Sequence, residues 1–466
     1  MKSDNIEDIY ELTPLQKGVL FHCLYENESQ LYFFQIVYNI HSSFNTDIFE
    51  KAWQIVIDRH TILRTGFYWE EIENPLQVVY KQVKVPLIHY DWRHLDRVEQ
   101  ENQLQTLIDG DRKQGFDLSQ SCQMRLSLVR LADDYYQFIW SYHFIIIDGW
   151  TDSLVIKEFV QIYEALSQNQ QIPLAPTRPY RDYINWLKQQ DISKTEVFWR
   201  KALQGIKTPT PLTYIEKIDQ SPTQEQRYDE EKIKLSSEDT QAIQSLAIQN
   251  RLTLATVFNG IWAILLSRYS RRKNILYGCT ANGRPVDLNS AESIAGVFLN
   301  TLPIYVNIDN QQPLLSWFQY LQTQLLEARR YEYTPLTEIH GWSEIPRSLP
   351  LFESIVVMED FSVKKFAKDH RISLKIKYHK TYYKSNYPLN LVIYPDEELL
   401  IAFSYDYKKF DTDTIVAMLE DIEIVLQQMI NNADIKIQDI KFLRLEQEEI
   451  ASILEKKVSF DFVSAH

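Results

Sequence analysis

Residues 135 to 147 read YYQFIWSYHFIII and are followed by Asp148-Gly149. A strand with one wet face alternates apolar and polar positions, and this stretch does not. It reads as a central strand buried on both faces, which must be covered by further elements on each side. His143 and Asp148 then lie in a hydrophobic setting, where buried polar groups need partners. Taken alone, a His-x4-Asp pair is more often a satisfied core pair than a catalytic site.

Around that strand the chain alternates helix and strand signals. The Thr-Pro pair in LTPLQKGVLFHCLY (12 to 25) suits a helix entry, and helical apolar spacing follows. In DIFEKAWQIVIDRH (47 to 60), Ile48, Ala52, Ile55 and Ile57 fall close to one stripe, predicting an amphipathic helix. RTGFYW reads as a strand, and 150 to 166 as a helix. SQNQQIPLAPTRP (167 to 179) is polar and Pro-rich and reads as a linker. Beyond it, Ser236-x-x-Asp239 predicts a helix start, and Thr253 caps LATVFNGIWAILLSRYS. NILYGC (274 to 279) and PIYVNI read as strands flanking a Gly283-Arg284-Pro285 turn, and 313 to 331 as a long helix. LNLVIY and LLIAFSYD form a hairpin across PDEE, and a helix from about 411 to 430 closes the segment. Each half mixes helices with a sheet, so the fold class is α+β, repeated twice.

The 466 residues fit two or three domains. A net charge of −14 excludes a sequence-independent grip on nucleic acid or on an anionic membrane. The longest apolar runs fall short of the roughly 18 residues of a membrane span. Cys23, Cys122 and Cys279 are odd in number and far apart, which fits a reducing cytoplasm rather than a disulfide framework or metal cluster. No apolar stretch follows Met1, so no secretion signal is expected. With 11 glycines and no Gly-rich phosphate loop, G-x-S-x-G, H-E-x-x-H or C-x-x-C, the familiar nucleotide, serine-hydrolase and zinc chemistries have no carrier.

Six segments stand in a telling order: LTPLQKGVLFH (12 to 22), RHTILRTGF (59 to 67), HFIIIDGW (143 to 150), YRDYINW (180 to 186), GVFLNTLP (296 to 303) with GRPVDL (283 to 288) before it, and YTPLTEI (333 to 339). This set resembles the motif series of condensation domains of nonribosomal peptide synthetases, in the chloramphenicol-acetyltransferase-like superfamily, over about residues 10 to 430. The resemblance implies an α/β sandwich of two lobes in a V around a central tunnel. The N-terminal lobe is expected at 1–176, the C-terminal lobe at 177–440 and a linker or tail at 441–466. It implies amide formation between a donor thioester and an acceptor amine, each on the phosphopantetheine arm of a peptidyl carrier domain, with no metal or directly bound cofactor. The expected partners are the two carrier domains and a neighbouring adenylation domain, and the expected state is a cytoplasmic monomer. Met1 suggests the N-terminus of a multidomain protein or a stand-alone domain, with the donor carrier delivered in trans.

One position departs from the pattern. The family form of the third motif is HHxxxDG, and its second histidine, assigned to the acceptor amine, falls on Phe144. Phenylalanine neither accepts nor donates a proton. His143 is expected to keep the supporting role of the first histidine, because neighbours on a strand face opposite ways. The resemblance places Asp148 in an ion pair with an arginine, Arg284 first and Arg64 second, and gives Gly149 a tight turn. Tyr142 and Trp150 flank the motif and are candidates to line the tunnel or lobe interface, with core packing the commoner fate, while Asn300 and Thr301 belong to the lobe interface. His60 is expected to bond backbone or a neighbouring strand.

Loss of a general base costs about 10²–10⁴ in rate, roughly 3 to 5 kcal/mol. Holding two tethered substrates together supplies roughly 7 to 11 kcal/mol, so slow condensation stays physically open. The readings left standing are an impaired or altered condensation domain, a catalytically silent scaffold that docks carriers or recruits a partner enzyme, and an ordinary enzyme silenced by an engineered Phe144. An epimerisation-type sibling would keep its histidine, and the heterocyclisation subtype needs an aspartate at 143.

Overall fold

The computed structural model describes residues 3–25, 32–42, 44–212, 228–359 and 374–442. In chain order the elements are β1 (Ile6–Glu11), α1 (Pro14–Tyr25), β2 (Phe33–His41), α2 (Thr46–Arg59), β3 (Thr65–Tyr68), β4 (Leu76–Tyr80), β5 (Leu87–Asp91) and α3 (Arg97–Gln114). Then come β6 (Met124–Arg130), β7 (Tyr135–His143), α4 (Gly149–Ser167), α5 (Arg181–Lys188), α6 (Ile192–Ala202), β8 (Tyr228–Lys234), α7 (Ser237–Gln249) and α8 (Leu254–Ser270). The rest are β9 (Asn274–Ala281), β10 (Asn300–Asn307), α9 (Leu314–Arg329), α10 (Leu336–Trp342), β11 (Ser354–Met358), β12 (Ile376–Tyr382), β13 (Leu389–Tyr394), β14 (Leu400–Asp406) and α11 (Thr412–Asn431). Among the described residues no single helix is long and apolar enough to cross a membrane.

The chain separates into two compact units, each assembled from discontinuous stretches. The first takes residues 1–192, 282–300 and 360–386, and the second takes 193–281, 301–359 and 387–466. The division does not follow the expected break at 176/177. Residues 167–179 run along the first unit, where Thr177 Oγ1 donates to the Ser293 carbonyl at 2.8 Å. Just after them, Tyr180 donates its hydroxyl to the Val297 carbonyl at 2.5 Å, and Tyr183 packs on Phe298 with ring centroids 4.0 Å apart. Burial of two tyrosines outweighs a Pro-rich composition as a marker of where a unit ends. Most of the expected tail, residues 443–466, lies outside the described residues.

In the first unit β7 is the middle of a five-stranded sheet, β12-β2-β7-β6-β5, antiparallel to β2 and β6. Both of its faces are covered, as the apolar run requires. On one side Phe138 and Trp140 meet Trp53 of α2, which stacks on Phe159 of α4 at 4.7 Å. On the other, Val37, Val129 and Ile139 close over Ile108 of α3 and Trp92. The stripe of α2 that is fully buried is Phe49, Ala52, Trp53, Val56 and Ile57, while Ile48 and Ile55 lie at its margin. Three further strands form a small sheet, β1-β4-β3.

The second unit carries a six-stranded sheet, β10-β9-β11-β13-β14-β8. β9 and β13 flank β11 in parallel, and β13-β14 is the expected hairpin, with Tyr394 opposite Leu400. α8 is buried along most of its length beside this sheet, and its Thr253 cap accepts the Thr256 N–H at 3.1 Å. Ser236 caps α7 the same way, accepting the Asp239 N–H at 3.0 Å.

Candidate functional site

The long apolar run leaves the strand earlier than its composition predicts. β7 ends at His143, and Phe144 to Ile146 form a turn closed by the Ile146 N–H donating to the His143 carbonyl at 3.1 Å. The Ile145 N–H donates to His143 Nδ1 at 3.1 Å. That bond keeps Nδ1 unprotonated, so the neutral ring carries its hydrogen on Nε2, which faces Cys23 Sγ at 3.5 Å. Burial holds the imidazole neutral, pushing its pKa down to about 3. His143 is therefore a packed ring committed on both nitrogens, edge-on to Phe116.

Phe144 is half-buried and sits off the strand, its N–H donating to the Tyr32 carbonyl at 2.8 Å. Its ring stacks with Tyr32 and with Phe34, both at 5.9 Å between centroids. Phe34 stacks in turn on Tyr142 and on Tyr383, giving a continuous row of aromatic rings. Tyr142 is buried, with its hydroxyl 3.3 Å from Asp152 Oδ2.

Asp148 is the hub of the motif. It caps α4, its Oδ1 accepting the Thr151 N–H at 2.8 Å. Its Oδ2 takes Arg284 Nη1 at 3.2 Å and the backbone N–H groups of Phe298 and Leu299 at 2.9 and 3.2 Å. Arg284 Nη2 donates to Thr151 Oγ1 at 3.1 Å, and its guanidinium lies 4.3 Å from the Phe298 ring centroid. Thr151 Oγ1 donates to the Gly296 carbonyl at 2.6 Å and accepts the Gly296 N–H at 3.0 Å. A buried carboxylate with one cation and three backbone donors is fully satisfied. The cluster ties the start of α4 to residues 282–300 and leaves no spare acceptor to move a proton.

The other expected residues fall as follows. Arg64 pairs with Glu7 at 2.7 Å and bonds the carbonyls of Ile57 and Tyr80, so it is not the partner of Asp148. Gly149 opens α4, and the left-handed turns lie at Gly283 (φ +65°) and Gly296 (φ +151°) instead. Trp150 is 38% exposed and donates Nε1–H to the Glu292 carbonyl at 3.0 Å. Asn300 is buried at the start of β10. His60 bonds a carboxylate rather than backbone, Nε2 to Glu158 Oε2 at 2.7 Å, beside Arg59 at 2.8 Å. Burial works to raise the Glu158 pKa, but the bonds from His60 and Arg59 win and hold it below the usual carboxylate value. Cys23 and Thr151 were not legible as site residues. The hydroxyl at 151 is signalled by its place three residues after a cap, but Cys23 has no sequence signal.

A family model described as "Condensation domain" matches residues 6–451. Among curated relatives, one of the linear gramicidin synthase proteins of Brevibacillus parabrevis is 37% identical over 458 residues, covering 98% of this chain and 6% of that protein. Surfactin synthase subunit 3 of Bacillus subtilis (strain 168) is 30% identical over 452 residues, covering 96% of this chain and 35% of that protein. The chain thus spans a small part of the relatives it matches. Among solved structures, the starter condensation domain of rhizomide synthetase aligns with a TM-score of 0.79 at 19% identity, covering 93% of this chain and 98% of that one. The X-domain from teicoplanin biosynthesis aligns at 0.76 and 20% identity, covering 95% and 99%. At such identities these two likenesses speak for the fold.

Proposed function

Because the chain belongs to the condensation-domain family of nonribosomal peptide synthetases, we propose that it joins a carrier-bound donor thioester to a carrier-bound acceptor amine without a side-chain base at position 144. The observation that carries this reading is the complete Asp148 hub, with its arginine and three backbone donors, next to a residue that cannot take a proton. In the reaction the amine nitrogen attacks the thioester carbonyl, the C–N bond forms, the C–S bond breaks, and the pantetheine thiolate leaves with the electron pair. The amine's proton passes to solvent or to the departing thiolate. A free α-amine has a pKa near 8, so part of it is already neutral near pH 7. The rate then rests on holding two tethered substrates together, worth roughly 7 to 11 kcal/mol.

The substrates would arrive on phosphopantetheine arms of donor and acceptor carrier domains, with an adenylation domain as neighbour. His143 does not replace the missing base in this reading, because Nδ1 already accepts a backbone N–H and Nε2 carries the ring hydrogen. A second reading is a silent scaffold that docks carriers or recruits a partner enzyme. It is favoured by the Phe144 ring being held in the row with Tyr32 and Phe34. Single-turnover condensation with loaded carriers, comparing the chain with Phe144→His, separates the two. Slow amide formation that rises about 10²-fold or more in the variant supports the first reading. No amide from the chain while both carriers still bind supports the scaffold. Equal rates from both proteins would overturn the assignment of any cost to Phe144.

A further inference from the structure

At the end of β9 far from Ala281, about 23 Å along the strand at 3.3 Å per residue, the second unit holds a cleft of about 310 Å³. Lys207, Arg272 and Lys273 line it, together with Thr208, Thr210 and Asn274. Among the described residues these three cations form no ion pair, whereas Arg59, Arg125 and Arg284 each hold a carboxylate. Three unpaired cations around one cleft are unexpected in a chain of net charge −14.

The hydroxyls point the same way. Thr210 is buried, and its Oγ1 accepts the Leu276 N–H at 2.7 Å. Its hydroxyl hydrogen therefore remains to be given, and among the described residues none takes it. Thr208 Oγ1 is likewise an acceptor, from Arg272 Nη1 at 3.2 Å. That bond and a second to the Pro209 carbonyl at 3.3 Å anchor the guanidinium by one nitrogen. Its Nε and Nη2 hydrogens make no bond among the described residues.

We infer that this cleft is an anion site for a phosphate group, free or as the terminal phosphate of a small ester. A phosphate offers several acceptor oxygens at close quarters, matching two cationic head types and hydroxyl donors set around a concave space. An acidic peptide is the weaker fit. Its extended charge would meet the acidic remainder of the surface, while a small dianion senses only the field within about 8 Å at physiological salt. The site is independent of the condensation reading, since none of its residues belongs to the Asp148 hub.

The test is isothermal titration of the full chain with inorganic pyrophosphate, inorganic phosphate, ribose 5-phosphate and a hexaglutamate peptide at fixed ionic strength. The expected result is saturable binding of at least one phosphate ligand, weakened about tenfold or more in Arg272→Gln and in Lys273→Gln. Lys377→Gln, an exposed lysine of the first unit, leaves binding unchanged. Each variant's unliganded melting temperature shows that it is folded. Binding of the ester assigns an organic phosphate, and binding of the inorganic ions alone assigns a free one. No saturable binding, binding indifferent to both cleft variants, or hexaglutamate bound more tightly than every phosphate ligand overturns the inference.

Discussion

At the residue scale, the site turns on which groups are committed and which are spare. His143 is buried as the neutral ring with its pKa pushed down to about 3. An unfolded chain restores an ordinary histidine near 6.5. Below that pH the unfolded state binds a proton that the folded state refuses, so stability is full above about 6.5 and falls as pH drops toward 3. Between pH 7 and pH 5 the loss approaches about 2 kcal/mol for this one group. The buried Glu158, held low by His60 and Arg59, adds its own loss only below the ordinary glutamate value of about 4.3. Urea denaturation at pH 7 and pH 5 stays above the glutamate range but also reads His340, whose pKa burial lowers too, so the His143 share is the difference between the parent and His143→Gln. His143→Gln is expected to be less stable than the parent at pH 7 and to lose most of the difference between the two pH values. A variant that keeps the full acid slope would show that another buried group causes it. The sequence made His143, Asp148 and Arg284 legible because their residue types in that order match a motif series. It did not expose the tautomer of His143 or its contact with Cys23, since both depend on a turn and on a helix more than a hundred residues away.

At the scale of elements, what was legible is what local chemistry dictates. The Thr13-Pro14 pair opens α1 as expected, with Pro14 at the first helical position. The structure adds a reciprocal cap beyond that expectation, Gln16 N–H to Thr13 Oγ1 at 3.1 Å and Thr13 N–H to Gln16 Oε1 at 3.0 Å. The apolar run predicts the end of β7 four residues late, because Ile145, Ile146 and Ile147 are as buried as a strand but are turned by the His143 carbonyl. β8 and β12 carry no apolar run, since they edge their sheets and expose most of their side chains. Gly283 belongs to this scale too. Its φ of +65° carries the chain from β9 to Arg284, and a Cβ there would lie 1.8 Å from the Phe298 carbonyl oxygen. Left-handed backbone alone costs a non-glycine residue roughly 1–2 kcal/mol, and the clash adds to it. Gly283→Ala is expected to lower stability by about 3 kcal/mol in denaturant unfolding and to cut condensation, because Arg284 and the N–H groups that meet Asp148 sit on either side of the contact. An unchanged midpoint would mean that the turn relaxes freely.

At the scale of the whole molecule, the chain does not fold as two successive halves. The first unit is completed by residues 282–300 and by β12, both reached only after the chain has built much of the second unit. Without 282–300 the Asp148 carboxylate loses Arg284 and two backbone donors, and Thr151 loses both of its bonds to Gly296. Breaking a buried ion pair by removing one partner costs about 3–5 kcal/mol. Tyr180 and Tyr183 lose Val297 and Phe298 as well, and β2 loses the partner on its outer edge. Against the 5–15 kcal/mol that holds a typical domain together, these losses are decisive. A fragment of residues 1–192 is therefore expected to show no cooperative thermal unfolding by circular dichroism, although it contains four of the five strands of its main sheet and the whole HFIIIDGW segment. Supplying the remaining chain as a second fragment should restore a cooperative transition only when that fragment includes 282–300. If residues 1–192 melt cooperatively alone, the crossing segments are accessories to a lobe already complete, and the break the sequence suggested at 176/177 is close to a folding boundary.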